Sequence, residues 1–436
     1  MKSWKVPATA TAGAVMLMAL SACAPGGASS AATSETPSKD LGSEKVTLTV
    51  VTTPESGAPL DKIIAAFEKQ HPNITVENKK TTFDDYNKQL PLQLASNSSP
   101  DLALINFVGN MAKDKLLLPL NPYKKLYGWD KIFSPGELGD YSMQDNLVGS
   151  GGSDLVALPT SFYLVGVYYN KDLAKQAGIT VPPTSYDELV SDFAKAKSAG
   201  LLPLQLGNAQ GHAFFTIQEV GQSIDGADQA RDWVWGKPGN TFDTTGNRKG
   251  VQSLVEWNRA GYIPSPTEVN GTDLSDAVGK FTSGKGTFFI DGNWDGATIG
   301  KAMGDNVGFF TFPGKKATAA GGSAAYAISA KSKHPNEAAA FLDFFQSSEA
   351  AQAEFDAGFL PKNVSALKAS DGSVMSDILT NFAKVSADNG GVDAYANATA
   401  SMNDTFIKTT QDLLSGATDP DTLFATVQAD WAKSHG

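Results

Sequence analysis

The 436-residue chain contains a single cysteine, Cys23, and only four histidines. A disulfide needs two cysteines and a structural zinc site usually needs four ligands, so one chain can form neither from cysteine alone. The histidines are scattered and lack the spacing of metal ligands: His71, His212, His334 and His435. We therefore expect no metal and no cofactor.

Positive charge is also scarce, since 35 Lys and Arg stand against 46 Asp and Glu, a net charge of −11. An acidic protein repels phosphate backbones, so nucleic acid is not an expected partner. The N-terminal apolar run "VMLMAL" (residues 15–20) is much shorter than the roughly 20 residues that cross a bilayer. This run follows Lys2 and Lys5, a pattern typical of a secretory signal peptide, here residues 1–22.

The lone cysteine closes this signal peptide. The residues "LSAC" that end at Cys23 resemble the lipobox of bacterial lipoproteins, in which the thiol receives a diacylglycerol and becomes the first residue of the mature chain. The resemblance implies a fatty-acylated anchor, palmitate among its acyl chains, at the outer face of the bacterial cell membrane. The alternative is a soluble secreted protein whose cleavage site happens to contain a cysteine.

Residues 23–45 are small and polar, so we predict a flexible tether with a typical span of about 26 Å. The mature chain has 414 residues and a net charge of −13, because the signal peptide removes two lysines and no acids. A chain of this length exceeds one ordinary core, and two lobes of about 200 residues are expected.

Strands alternate with helices from residue 46 onward. The apolar run at 46–51 predicts a strand, Leu60 and Phe67 lie on one face of a following helix, and further strands are predicted at 73–77 and 101–106. A βαβαβ series favours a parallel sheet with ligands at the carboxyl ends of its strands.

A second series begins with the strand 165–169 and a helix opened by Ser185 and Glu188, which have capping-box spacing. The sequence therefore predicts an α/β fold of two lobes, each a mostly parallel sheet flanked by helices.

Three catalytic or metal-binding patterns are incomplete. "GKFTSGKG" (279–286) ends in glycine where a phosphate-binding loop needs Ser or Thr, and "DGNWDG" (291–296) opens like a calcium loop whose twelfth position is Ala302. The neighbouring acids Asp84 and Asp85 are expected to be a solvated helix start rather than a glycosidase pair. We therefore predict a binding protein and not an enzyme.

Six segments spread over the mature chain together resemble extracellular solute-binding proteins of the maltose-binding type, the carbohydrate receptors of ATP-driven importers. They are "AAFEKQHPNITVE", "LQLASNSSPDLALIN", "ALPTSFYLVGVYYNKDLAKQAGITVPPTSYDEL", "AVGKFTSGKGTFFIDGNW", "VGFFTFPG" and "GGSAAYAISAKSKHPNEAAAFLDFF". The resemblance implies a type II-like, two-lobed binding-protein fold that closes over a mono- or oligosaccharide. It also implies a monomer that delivers its cargo to the membrane-spanning permease subunits of an ABC importer.

The family's architecture further implies that the chain crosses between the lobes near residues 161–164, 321–325 and 359–362. The resulting limits are 46–162 plus 326–361 for the N-terminal lobe and 163–323 plus 362–436 for the C-terminal lobe.

A sugar needs aromatic rings against its faces and short polar groups at its rim. Trp294 follows a strand where the family commonly places a stacking aromatic, and its alternative role is a core tryptophan. Asp291 and Asn293 flank it and could instead cap the next helix. Thr53 and Glu55 follow the first strand, where Glu55 would accept sugar hydroxyls unless it is an exposed turn acid.

Further candidates lie at strand ends, crossings and loops. His212 lies in an aromatic run with Phe214 and could contact the sugar, or it could have a structural role. The Trp233 and Trp235 pair could form a platform for the sugar, or it could lie on a remote surface. The other candidates are Asn106, Phe162, Tyr163, Gly322, Ser323, Asp393 and Tyr395.

Two rival functions stay open at this point. A surface-anchored glycoside hydrolase would consume the saccharide that a receptor only binds. A receptor for peptides or metal chelates would need charged anchors or histidine clusters, which we do not find in the sequence. Neither the identity of the sugar nor its length follows from these residues.

Overall fold

A computed structural model describes residues 36–435, apart from residues 107, 109–110, 145–146, 149–153, 363–366, 368 and 400. The predicted signal peptide, Cys23 and the first part of the predicted tether lie outside the described residues. No helix among the described residues combines the length and the apolar character that a membrane span requires.

The predicted βαβαβ series is confirmed at the start of the body. Its helix α1 buries the predicted apolar face, since Leu60, Ile63 and Phe67 are at most 1% exposed. The five elements are β1 (Val46–Thr52), α1 (Pro54–Gln70), β2 (Ile74–Lys80), α2 (Phe83–Ala95) and β3 (Leu102–Ile105).

Between β3 and the first crossing, the N-terminal lobe contains short elements that the sequence analysis did not predict. They are α3 (Asn121–Tyr127), α4 (Pro135–Gly139), β4 (Ser142–Gln144), β5 (Leu147–Val148), β6 (Asp154–Leu155) and β7 (Leu158–Phe162). Strands β4, β5 and β6 form a small antiparallel sheet of their own.

The chain then enters the C-terminal lobe. The Ser185 hydroxyl accepts a hydrogen bond from the Glu188 N–H at 3.1 Å, which confirms the predicted cap of α6. The elements are β8 (Val165–Asn170), α5 (Lys171–Gln176), α6 (Tyr186–Ser198), β9 (Leu204–Gln205), α7 (Ala213–Asp225), α8 (Ala227–Val234), α9 (Thr245–Ala260), α10 (Pro266–Gly271), α11 (Leu274–Thr282), β10 (Phe288–Gly292), α12 (Gly296–Met303), β11 (Val307–Phe310) and β12 (Ala319–Ala320).

Two later passages finish both lobes. The chain returns to the N-terminal lobe through β13 (Ser323–Ile328), α13 (Pro335–Phe344), α14 (Ser348–Asp356) and β14 (Leu360–Pro361). It ends in the C-terminal lobe with α15 (Val374–Ala387), β15 (Gly391–Val392), α16 (Met402–Ser415) and α17 (Pro420–His435).

Each lobe is built on one mixed sheet. The N-terminal sheet has the order β14-β7-β13-β3-β1-β2, and the C-terminal sheet has the order β11-β8-β10-β9. Strand β1 is parallel to β2 and β3, whereas β13 is antiparallel to β3 and β7, and β8 is antiparallel to β10 and β11. The predicted mostly parallel character is therefore wrong, because strands that arrive from the other lobe need no local helical crossover.

Separate clusters of buried side chains cover the two sheets. Residues of β1, β3 and β13 pack with α1 and α13 in one cluster, while β8, β10, α7 and α9 contribute to another. A third cluster joins β8, β11 and α15. Two sheets with their own cores confirm the predicted two-lobed α/β fold.

The strand pairings identify the end of each sheet that lies towards the other sheet. Ile105 at the carboxyl end of β3 pairs with Ala325, and Phe162 at the end of β7 pairs with Ser323. In the other sheet, Gly292 at the end of β10 pairs with Val165 at the start of β8. We call this region, where the chain passes from one sheet to the other, the interlobe junction.

Candidate ligand-binding site

A cleft at the interlobe junction is lined by both lobes and by the chain that crosses between them. Its volume is about 30 Å³, room for about one or two water molecules, whereas pockets for small ligands measure roughly 300–1,000 Å³. A solute of sugar size therefore enters only if the lobes move apart. The lining residues are Asp140, Tyr141, Arg231, Trp235, Gly321, Gly322, Ser323, Gly391, Val392 and Asp393.

Asp393 is held by a dense set of donors on the C-terminal side of the cleft. Its Oδ1 accepts hydrogen bonds from the Tyr163 hydroxyl, from the Asn397 amide at 2.7 Å and from the Ala394 N–H at 2.8 Å. Burial raises the pKa of Asp393 above its ordinary value, and these donors oppose that shift. The carboxylate thus fastens the first crossing to the loop after β15.

Gly322 is required at this contact. A Cβ at residue 322 would lie 2.9 Å from the Tyr163 hydroxyl and 3.0 Å from the Asp393 Oδ1, too close for any other residue without movement. The Gly322 carbonyl accepts a hydrogen bond from the Tyr163 N–H at 2.9 Å. Two of the three crossings are therefore joined directly beside the cleft.

Asp140 faces the cleft from the N-terminal side, just after α4. It is partly exposed, and its carboxyl group has no hydrogen-bond or ion-pair partner among the described residues. Burial, followed by the nearby charge of Asp393, raises the pKa of Asp140 to about 7, while Arg231 acts in the opposite direction. This carboxyl group is free to accept hydrogen bonds from a solute.

Tyr141 positions the wall of the cleft that is formed by the start of β13. Its hydroxyl donates to the Ser323 carbonyl at 2.5 Å and lies 3.3 Å from the Ser323 hydroxyl. Burial, with the charge of Asp393, raises the pKa of Tyr141. Tyr141 therefore acts as a neutral donor that positions the start of β13.

Arg231 and Trp235, near the end of α8, form the opposite wall. Arg231 donates to the Asp228 carboxylate at 2.7 Å, to the Asn389 carbonyl at 2.7 Å and to the Gly391 carbonyl at 3.0 Å. These contacts fix the guanidinium at the cleft, and the half-buried Trp235 presents an aromatic surface beside it. An arginine, a tryptophan and an opposing carboxyl group suit a solute with many hydroxyls.

The segment after β10 has a different role from the predicted one. Asn293 is fully buried, accepts from the Leu164 N–H at 2.7 Å and donates to the Gly358 carbonyl at 2.6 Å, so its amide ties the lobes together. Asp291 is 1% exposed, and burial beside Asp295 raises its pKa well above the ordinary range. The prediction that these two residues contact ligand is corrected, because neither is accessible.

Trp294 remains a candidate for ligand stacking. It is half-buried, and its ring centroid lies 6.0 Å from those of Tyr163 and Phe215. It lies beside the crossing but does not line the narrow cleft.

The predicted residues of the N-terminal sheet edge do not line the cleft either. Thr53 is 3% exposed, and its carbonyl accepts the first helical hydrogen bond of α1 from the Gly57 N–H at 2.8 Å. Asn106 is partly exposed and donates to the Asn87 amide oxygen at 3.1 Å. Glu55 lies in the first turn of α1, and its side chain is outside what the structure describes.

Phe162 belongs to a cluster at the first and third crossings. Its ring lies 5.8 Å from that of Phe382 on α15, and the Lys362 ammonium lies 5.6 Å from the Phe162 ring. Lys362 also forms an ion pair with Glu137 of α4. Phe162 therefore packs at the hinge between the first and third crossings.

Two more candidates, Tyr395 and Trp233, belong to the C-terminal core, and His212 lies at its edge. Tyr395 is 2% exposed, donates to the Asn247 amide oxygen at 2.9 Å and packs edge-on against Trp233, which is itself 2% exposed. Burial lowers the pKa of His212 to about 4, so the ring is neutral and packs near Phe215. The prediction that Tyr395 contacts ligand is corrected, since the aromatic core takes up its ring. His212 is partly exposed, and its contact with ligand stays a prediction.

The cleft thus gathers four candidates from the sequence, Gly322, Ser323, Asp393 and Trp235. Tyr163 is hydrogen-bonded to two of them, Gly322 and Asp393. Asp140, Tyr141 and Arg231 were missed. Arg231 precedes Trp235 by four residues, one helical turn, which is a usable signal. Asp140 lies in a segment without clear periodicity. Within the described residues, no group of three or more His, Cys, Asp or Glu side chains could hold a metal ion.

A two-lobed α/β body with a cleft at its crossings defines a class of solute-binding proteins. The profile of the family described as bacterial extracellular solute-binding protein matches residues 51–352, more than half of the chain. The chain therefore belongs to this family.

Individual relatives agree with the assignment. The chain is 26% identical over 322 residues to the multiple sugar-binding protein of Streptococcus mutans, with 72% of this chain and 74% of that protein covered. An uncharacterised ABC transporter extracellular-binding protein of Pyrococcus horikoshii is 26% identical over 324 residues, covering 72% of this chain and 71% of its own length.

Solved structures show the same fold. A chitin oligosaccharide binding protein superposes with a TM-score of 0.75 at 22% identity, covering 90% of this chain and 99% of its own. A solute-binding protein in complex with raffinose, RafE, gives a TM-score of 0.68 at 20% identity, covering 90% and 100%.

Proposed function

We propose that the protein captures a carbohydrate at the interlobe cleft and delivers it to the permease of an ABC importer. One observation carries this proposal: the cleft places the carboxyl group of Asp140, without a described protein partner, opposite Arg231 and Trp235. Relatives whose names specify sugars support the same ligand class.

The proposed mechanism is closure around the solute. Asp140 accepts sugar hydroxyls from the N-terminal side, Arg231 donates to ring or hydroxyl oxygens from the other, and Trp235 or Trp294 covers an apolar face. A solute shifts an equilibrium between open and closed forms only through its difference in affinity for them, so contacts to both lobes are needed. The lobe limits given by the sequence are part of this proposal.

A calorimetric titration with maltose, raffinose, chitin oligosaccharides and xylo-oligosaccharides tests the ligand class. We expect one of them to bind at micromolar concentration, about −8 kcal/mol, and to be recovered intact. Asp172→Asn, an exchange at an acid of α5 away from the cleft, is the matched control for Asp140→Asn. Binding that Asp140→Asn does not weaken would place the site elsewhere, and recovery of shortened saccharide would favour the hydrolase.

We also propose that Cys23 carries the lipid anchor. Cys23→Ser should shift the protein from the membrane fraction to the medium or to a precursor that keeps its signal peptide. Mature protein that stays on the membrane after this exchange would contradict the anchor. The monomeric state is tested by light scattering of the protein without its first 23 residues.

A further inference from the structure

Three polar side chains of α7 are buried behind the wall of the cleft. Gln218 and Glu219 are 0% exposed, and Gln222 is 1% exposed. They lie at positions i, i+1 and i+4 of the helix, and all three bind the chain at or next to the short strands β12 and β15. A buried polar side chain costs free energy unless it is hydrogen-bonded, so the role of these residues follows from their partners.

Two of the three side chains hold a single peptide group of β12. The Ala320 N–H donates to Glu219 Oε1 at 2.5 Å, and the Gln222 amide donates to the Ala319 carbonyl at 3.0 Å. This carbonyl and this N–H belong to the same peptide bond, so α7 binds both of its polar groups. Residues 321–323, which follow directly, line the cleft.

Gln218 holds the other strand of the wall in a similar way. Its amide donates to the Asp393 carbonyl at 2.9 Å, and its side-chain oxygen accepts from the Tyr395 N–H at 2.8 Å. The Gly321 N–H donates to the Val392 carbonyl at 2.8 Å, which joins the ends of the two strands. One face of α7 therefore fixes both backbone segments that form the C-terminal wall of the cleft.

The surroundings of Glu219 favour its neutral form. Burial raises the pKa of Glu219 to about 8, although the Ala320 N–H acts in the opposite direction, so the group is mainly the neutral acid at neutral pH. Glu219 Oε2 and the Gln222 side-chain oxygen are buried acceptors without a hydrogen-bond partner among the described residues. Residues three apart on a helix are neighbours, so a proton on Glu219 Oε2 supplies the donor that this pair of oxygens otherwise lacks.

We propose that Gln218, Glu219 and Gln222, which we call the α7 clamp, are positioning residues that hold the C-terminal wall of the cleft in the arrangement that receives a saccharide. This inference rests on the proposed carbohydrate function of the cleft. The clamp binds backbone groups and is not part of the cleft lining, so it acts on a solute through residues 321–323 and Asp393. A wall that is already ordered loses less entropy when a solute binds, which raises affinity.

Amide hydrogen exchange tests the α7 clamp without any solute. Glu219→Leu removes the acceptor of the Ala320 N–H, so exchange measured by mass spectrometry should become faster in peptides that cover residues 319–323. Glu219→Gln keeps the acceptor and carries a permanent donor for Gln222, so its exchange should stay near that of the natural protein. Asp192→Leu is the matched control and should leave this exchange unchanged, because Asp192 is a fully buried acid of α6 in the same lobe, with one oxygen unpartnered among the described residues.

Calorimetry then connects the α7 clamp to binding. The titrant is the maltose, raffinose, chitin oligosaccharide or xylo-oligosaccharide that binds the natural protein. We expect Glu219→Leu to weaken the Kd for this saccharide by about tenfold, and Glu219→Gln to stay within about twofold of the natural value. Asp192→Leu should lower the unfolding temperature without a change of Kd, which separates positioning of the wall from general stability.

Each outcome bears on one proposal. Unchanged exchange in folded Glu219→Leu protein, an unchanged Kd despite faster exchange, or an equal loss of affinity in Glu219→Gln would overturn the α7 clamp. If Glu219→Leu does not fold, Gln222→Met is the milder exchange that decides the matter, because it removes the donor to the Ala319 carbonyl and should also speed exchange. If none of the saccharides binds the natural protein, the proposed carbohydrate function fails, while the exchange measurement still shows whether the clamp orders the wall.

Discussion

Two aspartates face each other across the cleft, and their surroundings differ sharply. Asp393 accepts from Tyr163, Asn397 and the Ala394 N–H, whereas Asp140 has no hydrogen-bond partner among the described residues. The three donors on one oxygen of Asp393 give that carboxylate a structural role. Asp140, which has no such donors among the described residues, is the better candidate for a solute contact. Residue type alone does not distinguish these roles, but the count of local donors does.

The largest expected effect is on stability and concerns Asp393. Asp393→Ala removes the acceptor from the Tyr163 hydroxyl and the Asn397 amide, and each buried donor without a partner costs about 1–3 kcal/mol. We expect a loss of about 2–4 kcal/mol in the free energy of unfolding, measured by urea denaturation. Asp140→Ala is the matched exchange and should leave that free energy nearly unchanged. Equal losses at both positions would remove the distinction between the two aspartates.

The tryptophans are expected to affect affinity next most strongly. Trp235 lines the cleft and Trp294 lies beside the crossing. Replacement of the ring that covers the sugar by alanine should cost about 2 kcal/mol of binding free energy, about thirtyfold, as for a buried aromatic anchor. Calorimetry of Trp235→Ala and Trp294→Ala identifies that ring. If neither exchange weakens binding, the saccharide lies elsewhere.

Asp140→Asn should produce a smaller loss of affinity. The amide keeps the shape and one acceptor but loses the charge, so we expect about 1–2 kcal/mol, a five- to thirtyfold weaker Kd. Its unfolding curve should match that of the natural protein, which separates a ligand contact from a structural one. An Asp140→Asn variant that binds normally would show that the open carboxyl group does not serve the solute.

Much of the fold follows from sequence patterns. The alternation of strands and helices and the apolar spacing of α1 were visible, and the strand predicted at 165–169 is β8, Val165–Asn170. Strand direction was not predicted correctly, because the crossing strands β7 and β13 are paired by tertiary contacts rather than by local connections. The short elements between β3 and β7 were also missed, since stretches of two to seven residues carry almost no periodic signal.

The site was harder to predict than the fold. Asn293 and Asp291 lie at a strand end but turn inward, so accessibility cannot be read from a strand end alone. Tyr395 resembled a cleft residue in sequence, yet its ring is part of the aromatic core with Trp233. Asp140 becomes a candidate only when α4 is placed opposite α8, which requires the packing of both lobes.

The smallest expected effect is a pH dependence that again separates the two aspartates. In the narrow cleft the pKa of Asp140 is raised to about 7. Closing of the lobes without a solute therefore takes up a proton between about pH 7 and pH 4, so acidic pH favours the empty closed form.

A sugar that donates hydroxyls to Asp140 favours the ionised form, so binding should release that proton. Affinity should therefore improve from pH 6 to pH 8, by less than about tenfold. Titrations of the natural protein and Asp140→Asn at both pH values measure this, and the variant should show a flat profile. A dependence that persists in Asp140→Asn would assign the proton to another buried carboxyl group, such as Glu219, whose pKa burial raises to about 8.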